Sequence, residues 1–142
     1  MGNKNIINMD QLTFKFPFSK KYFEQDYFIS SNNFSAFKLI DSWPNWPGKW
    51  LNIFGESGSG KTHLSKILEK KIKKTKLVDA KNVNDKTIQD LNVLDCLIVD
   101  SFENNINENL FYSILNQSKQ LDNFILINSS FKIKDINFKT ED

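Results

Sequence analysis

Apolar residues along this chain fall into short runs, separated by longer stretches in which apolar and polar residues mix. The strongest runs are Trp50–Phe54, Leu94–Asp100 and Phe124–Ile127, and each is typical of a strand buried on both faces. Apolar residues recur at helical spacing from Leu64 to Ile72 and again from Asn107 to Gln120. Buried strands that alternate with helices favour an α/β protein with a parallel sheet flanked by helices.

A glycine-rich stretch lies between the first of these strands and the helix after it. Its sequence, Gly-Glu-Ser-Gly-Ser-Gly-Lys-Thr, matches the phosphate-binding pattern G-x-x-x-x-G-K-[ST] at every fixed position. Glycines let such a loop bring backbone N–H groups close to an anion, and the helix that follows adds the positive end of its dipole. Lys61 supplies a mobile positive charge for the β- and γ-phosphates of a nucleotide, and Thr62 supplies a hydroxyl for Mg²⁺. The residues predicted to bind the nucleotide here are Gly55, Glu56, Ser57, Gly58, Ser59, Gly60, Lys61 and Thr62.

An acidic residue ends the second strong strand. Asp100 lies at the carboxyl end of that strand, where open α/β sheets bind their ligands, and we expect it to hold Mg²⁺ directly or through water. The next residue is Ser101, although an acid at that position could polarise the attacking water. Glu103 is two residues further on and is not assumed to substitute. The sequence therefore predicts weak or absent ATP hydrolysis.

Asn128 follows the third strong strand, and two interpretations of it remain open. A polar side chain at this strand end could orient water near the γ-phosphate of a nucleotide. Alternatively, Asn128-Ser129-Ser130 is a turn that only ends the strand.

Composition narrows the choice of chemistry. The net charge is +2, which is too weak to argue for nucleic-acid binding, although the Lys run from Lys66 to Lys76 is either a solvated helix face or a contact for phosphate groups. All 19 basic residues are Lys, so the chain has no guanidinium group to place on a γ-phosphate. The single Cys96 suits a reducing compartment. With neither a membrane span nor a signal peptide in the sequence, a cytoplasmic protein is expected.

Two parts of the chain are predicted to differ in role. Residues 1–20 form an N-terminal extension, and residues 21–142 form a partial nucleotide-binding domain. Within the extension, apolar and polar residues alternate from Gln11 to Phe18, as in a half-buried strand. This segment either packs on its own domain or docks its large apolar side chains in a partner's pockets.

Taken together, these residues resemble the DnaA family of bacterial replication initiators, and most closely its short Hda-type relatives. The resemblance covers roughly residues 9–140. The segments that carry it are Gln11–Phe14, Tyr27–Ser30 with Asn33 and Ala36, Trp43–Pro47, and Gly55–Thr62 with its continuation His63-Leu64.

The resemblance implies an AAA+ P-loop NTPase fold that binds ATP or ADP with Mg²⁺. Phe28 and Ile29 would lie near the adenine, and His63 would join the nucleotide-binding residues. Asp100 would be the Walker B acid, acting with Thr62 at the metal, and Asn128 would occupy the sensor 1 position.

The resemblance also implies partners. Hda-type proteins bind the DNA-loaded sliding clamp through an N-terminal Gln-Leu-x-Leu/Phe motif and then stimulate ATP hydrolysis by DnaA. Gln11, Leu12, Phe14 and Phe16 match the spacing of that motif. The implied function is a nucleotide-binding regulator of DNA replication initiation. It would act on DnaA, bind the DNA polymerase sliding clamp, reach DNA only through that clamp, and work as a homo- or hetero-oligomer away from membranes.

Two alternatives remain. One is a DnaA-like origin-binding or helicase-loading ATPase, which would need a DNA-binding domain. The other is a small P-loop kinase, which would need Arg residues to clamp phosphate groups. Compared with the family, this sequence stops after the sensor 1 strand, so we expect a domain truncated before the fifth strand and the helical lid. In the family's strand order, 5-1-4-3-2, that truncation would leave the phosphate-loop strand at an unpaired edge.

Overall fold

A computed structural model provides the structure of the chain, which is described here for residues 27–32, 34–103 and 107–133. In chain order the elements are β1 (Tyr27–Ser30), α1 (Phe34–Ser42), β2 (Trp50–Phe54), α2 (Lys61–Lys71), β3 (Thr75–Asp79), α3 (Asp85–Asp90), β4 (Cys96–Phe102), α4 (Glu108–Leu121) and β5 (Phe124–Ser129). The three strongest strand predictions are therefore confirmed as β2, β4 and β5.

The five strands form one parallel sheet in the order β1-β2-β5-β4-β3. Side chains alternate between its two faces, as the pleat of a strand requires. In β4, Leu97 and Val99 join the core that α4 covers, whereas Cys96 and Ile98 join the core that α1 and α2 cover. The predicted α/β fold, a parallel sheet flanked by helices, is confirmed.

The predicted unpaired edge beside the phosphate-loop strand is wrong. β1 pairs with β2 in parallel, from Tyr27 opposite Leu51 to Ser30 opposite Phe54. Its two central side chains leave opposite faces of the sheet: Ile29 is buried in the core under α1, and Phe28 packs against the other core. A parallel neighbour requires a crossover connection, and α1 lies within that connection.

Both cores are closed to water. Burial raises the pKa of the Cys96 thiol to about 12, so this group stays protonated at neutral pH and acts as a small apolar side chain, as its sequence context predicts. None of the helices in the described ranges is long and apolar enough to cross a membrane.

Parallel pairing decides where the functional groups meet. The carboxyl ends of β2, β5 and β4 lie side by side at one edge of the sheet, because Phe54 pairs with Ser129 and Phe102 also pairs with Ser129. The segments after these strands begin with Gly55, Glu103 and Ser130. Three stretches that are far apart in sequence therefore open onto one cleft.

A matched pair of substitutions tests this core. Val99 is fully buried in β4, whereas Val93 is 70% exposed. Val99→Ala removes two methyl groups from the packed interior and should lower the free energy of unfolding by about 2 kcal/mol. Val93→Ala should change it by less than about 0.5 kcal/mol. Urea unfolding followed by circular dichroism measures both, and equal effects would contradict the burial of Val99.

Candidate functional site

The loop between β2 and α2 has the backbone that its glycines predict. Gly58 has a φ of 83° and Gly60 a φ of 101°, in the left-handed region where a side chain is strained. Gly60 is the residue before α2, and its carbonyl accepts a hydrogen bond from Leu64 N at 3.0 Å. The N–H groups in the first turn of α2 have no partners inside the helix, so they are available to an anion.

Gly55, the first glycine of the loop, is required because there is no room for a side chain at this position. A Cβ atom at Gly55 would lie 2.1 Å from Ser31 Oγ and 2.8 Å from Ser59 Oγ, which is too close for either atom. The two hydroxyls are themselves 2.6 Å apart and hydrogen-bonded. Gly55 N also donates to Ser129 O at 3.0 Å. The start of the loop is therefore held between the residue that follows β1 and the end of β5.

Lys61 lies across this loop. Its Nζ donates to Gly55 O, and to Glu56 O at 3.0 Å. The ammonium group thus satisfies its donors on the carbonyls of the loop itself. The phosphate groups of a nucleotide would offer it charged acceptors, which form stronger hydrogen bonds than neutral carbonyls do.

Asp100 is the centre of a hydrogen-bond network that joins β4, α2 and β5. Its Oδ2 accepts from Thr62 Oγ1 at 3.3 Å, and its Oδ1 accepts from Asn128 Nδ2 at 3.2 Å and from Ser101 N at 2.9 Å. Asn128 Nδ2 also donates to Ser65 Oγ at 2.5 Å. Thr62 and Asp100, which the sequence predicts as metal ligands, and Asn128 of β5 thus lie within one hydrogen-bond network.

The buried side chain of Asn128 retains one unused group. The side chain is fully buried, and its Oδ1 has no hydrogen-bond partner within the described part of the chain. Because its Nδ2 must face the Asp100 carboxylate, the amide has one orientation that the network allows. Asn128 therefore hydrogen-bonds to Asp100 from its place near the end of β5, and its predicted role near a γ-phosphate stays a prediction. Ser65, which holds the other side of Nδ2, carried no signal in the sequence.

The network places two oxygen-bearing groups of the type that Mg²⁺ prefers at the mouth of the loop. These are Thr62 Oγ1 and the carboxylate of Asp100, and Mg²⁺ sites of this kind take few protein ligands and complete their shell with phosphate groups and water. The described residues contain no cluster of three or more His, Cys, Asp or Glu side chains that could hold a metal by themselves. The residues present fit a metal that arrives with a nucleotide.

A bulge distorts β4 beside this network. Val99 pairs with Ile127 and Phe102 with Ser129, so β4 has one more residue than β5 over this interval. Ser101 lies in the bulge with a φ of 58°, and its side chain is exposed. After the bulge, Glu103 reaches the cleft, which the spacing in sequence did not indicate.

These groups surround one cleft of about 350 Å³. Its lining residues are Ser57, Gly58, Gly60, Lys61, Thr62, His63, Asp100, Ser101, Glu103, Ser129 and Ser130. Most of the predicted nucleotide-binding residues therefore face one space, together with four residues that were not predicted as site residues: Ser101, Glu103, Ser129 and Ser130.

Other predicted site residues lie elsewhere. Ile29 is buried in the core, and Phe28 is half-buried against the opposite core, so neither lines the cleft. Their role near an adenine stays a prediction. The predicted clamp-binding residues lie outside the described residues, and they are Gln11, Leu12, Phe14 and Phe16.

Comparison with known proteins gives one family. A sequence model of the family described as RNA helicase matches residues 51–141, which is well over half of the chain. The matched region begins in β2 and contains the phosphate loop, Asp100 and Asn128. No curated protein and no solved structure matches the chain.

The contact between Gly55 and Ser31 can be tested by a double-mutant cycle. Gly55→Ala forces its Cβ onto Ser31 and should destabilise the protein by about 1–3 kcal/mol, as overpacking does. Ser31→Gly removes both obstructing atoms of residue 31 and should restore part of that loss in the double variant.

Gly58→Ala is the matched control, since nothing lies within 4 Å of a Cβ at Gly58 and only backbone strain is added. Ser31→Gly should not rescue it. Thermal unfolding measures all five variants, and purely additive effects of Gly55→Ala and Ser31→Gly would contradict the contact.

Proposed function

Since this chain belongs to the RNA helicase family of P-loop NTPases, we propose that it binds ATP or ADP with Mg²⁺ in the cleft at the carboxyl ends of β2, β4 and β5. The observation that carries this proposal is the convergence of Lys61, Thr62 and Asp100. These residues come from two elements, α2 and β4, and supply a cation, a hydroxyl and a carboxylate beside the N–H groups at the start of α2 that have no partner inside the helix.

Each of these groups has a separate task. The loop N–H groups and Lys61 bind and neutralise the phosphate groups. Thr62 and Asp100 hold Mg²⁺, whose charge balances the phosphates when it is bound. Asn128 keeps the Asp100 carboxylate turned toward Thr62, so that the metal ligands are in place before the nucleotide arrives.

For the biological role, we propose a nucleotide-dependent regulator of DNA replication initiation that acts with the sliding clamp to control DnaA. The N-terminal residues Gln11 and Leu12 support this role through their match to a clamp-binding motif, as does the resemblance around the phosphate loop. In this role the nucleotide acts as a ligand of the folded state. It stabilises the protein by about 2.7 kcal/mol when present at 100 times its dissociation constant.

A second function is favoured by the family match itself. A member of the RNA helicase family would couple nucleotide turnover to movement on RNA. The exposed Lys residues of α2 and the segment after it offer a surface for RNA phosphates, and they are Lys66, Lys70, Lys71, Lys73 and Lys74.

Nucleotide binding is tested by Lys61→Ala. The change removes a charged donor to the phosphates, and such hydrogen bonds contribute about 1.5–3 kcal/mol. The affinity for a fluorescent ADP analogue in the presence of Mg²⁺ should therefore fall about tenfold or more. Lys119→Ala, on α4, is the control and should leave the affinity unchanged. Equal affinity of wild type and Lys61→Ala would refute the phosphate site.

The two roles are separated by a binding experiment on the full chain with nucleotide present. One arm measures binding to the sliding clamp, and the other measures binding to single-stranded RNA at rising salt. Gln11→Ala with Leu12→Ala should abolish clamp binding and leave RNA binding as it was. Lys70→Ala with Lys71→Ala should do the reverse if RNA is a ligand.

We expect clamp binding in the micromolar range that only the first double variant loses. RNA binding that weakens steeply with salt, without clamp binding, would replace the regulator by the RNA motor. Binding of neither ligand would refute both roles and leave the nucleotide site standing.

A further inference from the structure

We propose that Glu103 is the general base of ATP hydrolysis in this cleft and that Ser130 positions it, an inference that rests on the proposed nucleotide site. It departs from the expectation, based on Ser101, that hydrolysis is weak or absent. The acid that activates water usually follows the metal-binding acid directly along the strand, but here it comes three residues after Asp100. The fold compensates for the difference in spacing.

The compensation comes from the bulge in β4. Because β4 has an extra residue at this point, Ser101 takes the left-handed conformation and the strand is re-aimed before it ends. Contacts of two successive residues, Ser101 and Phe102, stabilise the bulge. Ser101 N donates to Asp100 Oδ1, and Phe102 is fully buried against Phe111 of α4 with ring centroids 4.5 Å apart. The chain therefore leaves the sheet at Glu103 in a fixed direction.

Ser130 leaves the neighbouring strand at the same level. Since Phe102 pairs with Ser129, the residues that follow them, Glu103 and Ser130, emerge side by side. Ser130 Oγ donates to Glu103 Oε2 at 3.0 Å, and both residues line the cleft with Lys61 and Thr62. Within the described residues, the other carboxylate oxygen of Glu103 has no hydrogen-bond partner and can accept a hydrogen bond from water.

Asp100, the other acid of the cleft, already accepts hydrogen bonds from protein groups. Both carboxylate oxygens of Asp100 accept hydrogen bonds, from Thr62 on one side and from Asn128 and Ser101 N on the other. Asp100 would also hold the Mg²⁺ that arrives with the nucleotide, so its carboxylate would be directed at the metal rather than at the attacking water. Asp100 is therefore not the residue that takes a proton from water.

His63 is the remaining candidate base in the cleft. It lies in the first turn of α2, beside Thr62, and lines the cleft. No hydrogen bond described in the structure orients its ring, whereas Glu103 is oriented by Ser130. Geometry, which is the first requirement of a general base, thus favours Glu103.

In the proposed reaction, water hydrolyses ATP and Glu103 accepts a proton from it. The oxygen of water forms a bond to the γ-phosphorus, and the bond from that phosphorus to the oxygen shared with the β-phosphate breaks. The electron pair of the broken bond leaves with ADP. One proton of the water passes to the Glu103 carboxylate and is then released to the phosphate product or to solvent.

The test measures steady-state release of phosphate by the full chain at saturating ATP and Mg²⁺, together with the affinity for the fluorescent ADP analogue. Glu103→Gln should lower kcat at least about 100-fold, the usual contribution of a general base, and leave ADP affinity within about twofold. Glu69→Gln, the same substitution at the far end of α2, should leave both values unchanged.

Ser130 requires a separate readout because it acts through Glu103. Ser130→Ala should lower kcat about tenfold without raising KM, and Ser130→Thr, which keeps the hydroxyl, should restore kcat. A loss of folding would instead lower ADP binding in parallel with turnover.

Other results would contradict the assignment of Glu103 or the nucleotide site itself. Unchanged kcat in Glu103→Gln, or no turnover by a wild-type chain that binds ADP, would overturn the assignment and leave the nucleotide site intact. Loss of turnover in His63→Gln but not in Glu103→Gln would overturn it in favour of His63. Failure of the wild-type chain to bind ADP would overturn the proposed function itself.

Discussion

Hydrogen bonds to the carboxylate of Asp100 hold the cleft in one arrangement. They join the end of β4 to the first turn of α2 through Thr62 and to the end of β5 through Asn128. The network depends on the parallel register of the sheet, which brings those strand ends to one edge. Without this register, the Thr62 hydroxyl and the Asp100 carboxylate would belong to separate elements with no fixed distance between them.

The phosphate loop has a second support that does not involve Asp100. Its first residue is fixed by Ser129 on one side and by Ser31 on the other, and its last residues enter a helix whose apolar side is buried. Between these ends Ser59 is also hydrogen-bonded, to Ser31 Oγ and to Glu56 O, whereas Gly58 has open space around it. A loop that is fixed at both ends loses little conformational freedom when it binds a ligand, and this favours tight binding.

The parts of the fold and site that sequence could predict are those that local pattern decides. The phosphate loop, β2, β4, β5 and the position of Asp100 near the carboxyl end of β4 follow from runs of apolar residues and from a motif whose geometry is set by its own glycines. The packing of the core follows in the same way from helical and strand spacing.

The parts that sequence could not predict depend on contacts between distant segments. β1 is a strand because Tyr27–Ser30 pairs with a segment more than 20 residues away, and its four residues carry no strong signal by themselves. Glu103 was discounted because spacing along a regular strand excludes it, whereas a bulge removes that exclusion. The burial of Ile29, which was expected near an adenine, follows from the same unforeseen pairing.

The position of β1 couples the phosphate loop to the strand at the edge of the sheet. An extended strand transmits tension along its length, and β1 ends one residue before Ser31, whose hydroxyl lies against the first glycine of the loop. A shift of β1 along its axis would therefore reach Gly55 through Ser31, and it would also disturb both cores, because Ile29 is buried in one and Phe28 packs against the other. The start of the phosphate loop is thus coupled to the end of the first strand that the structure describes.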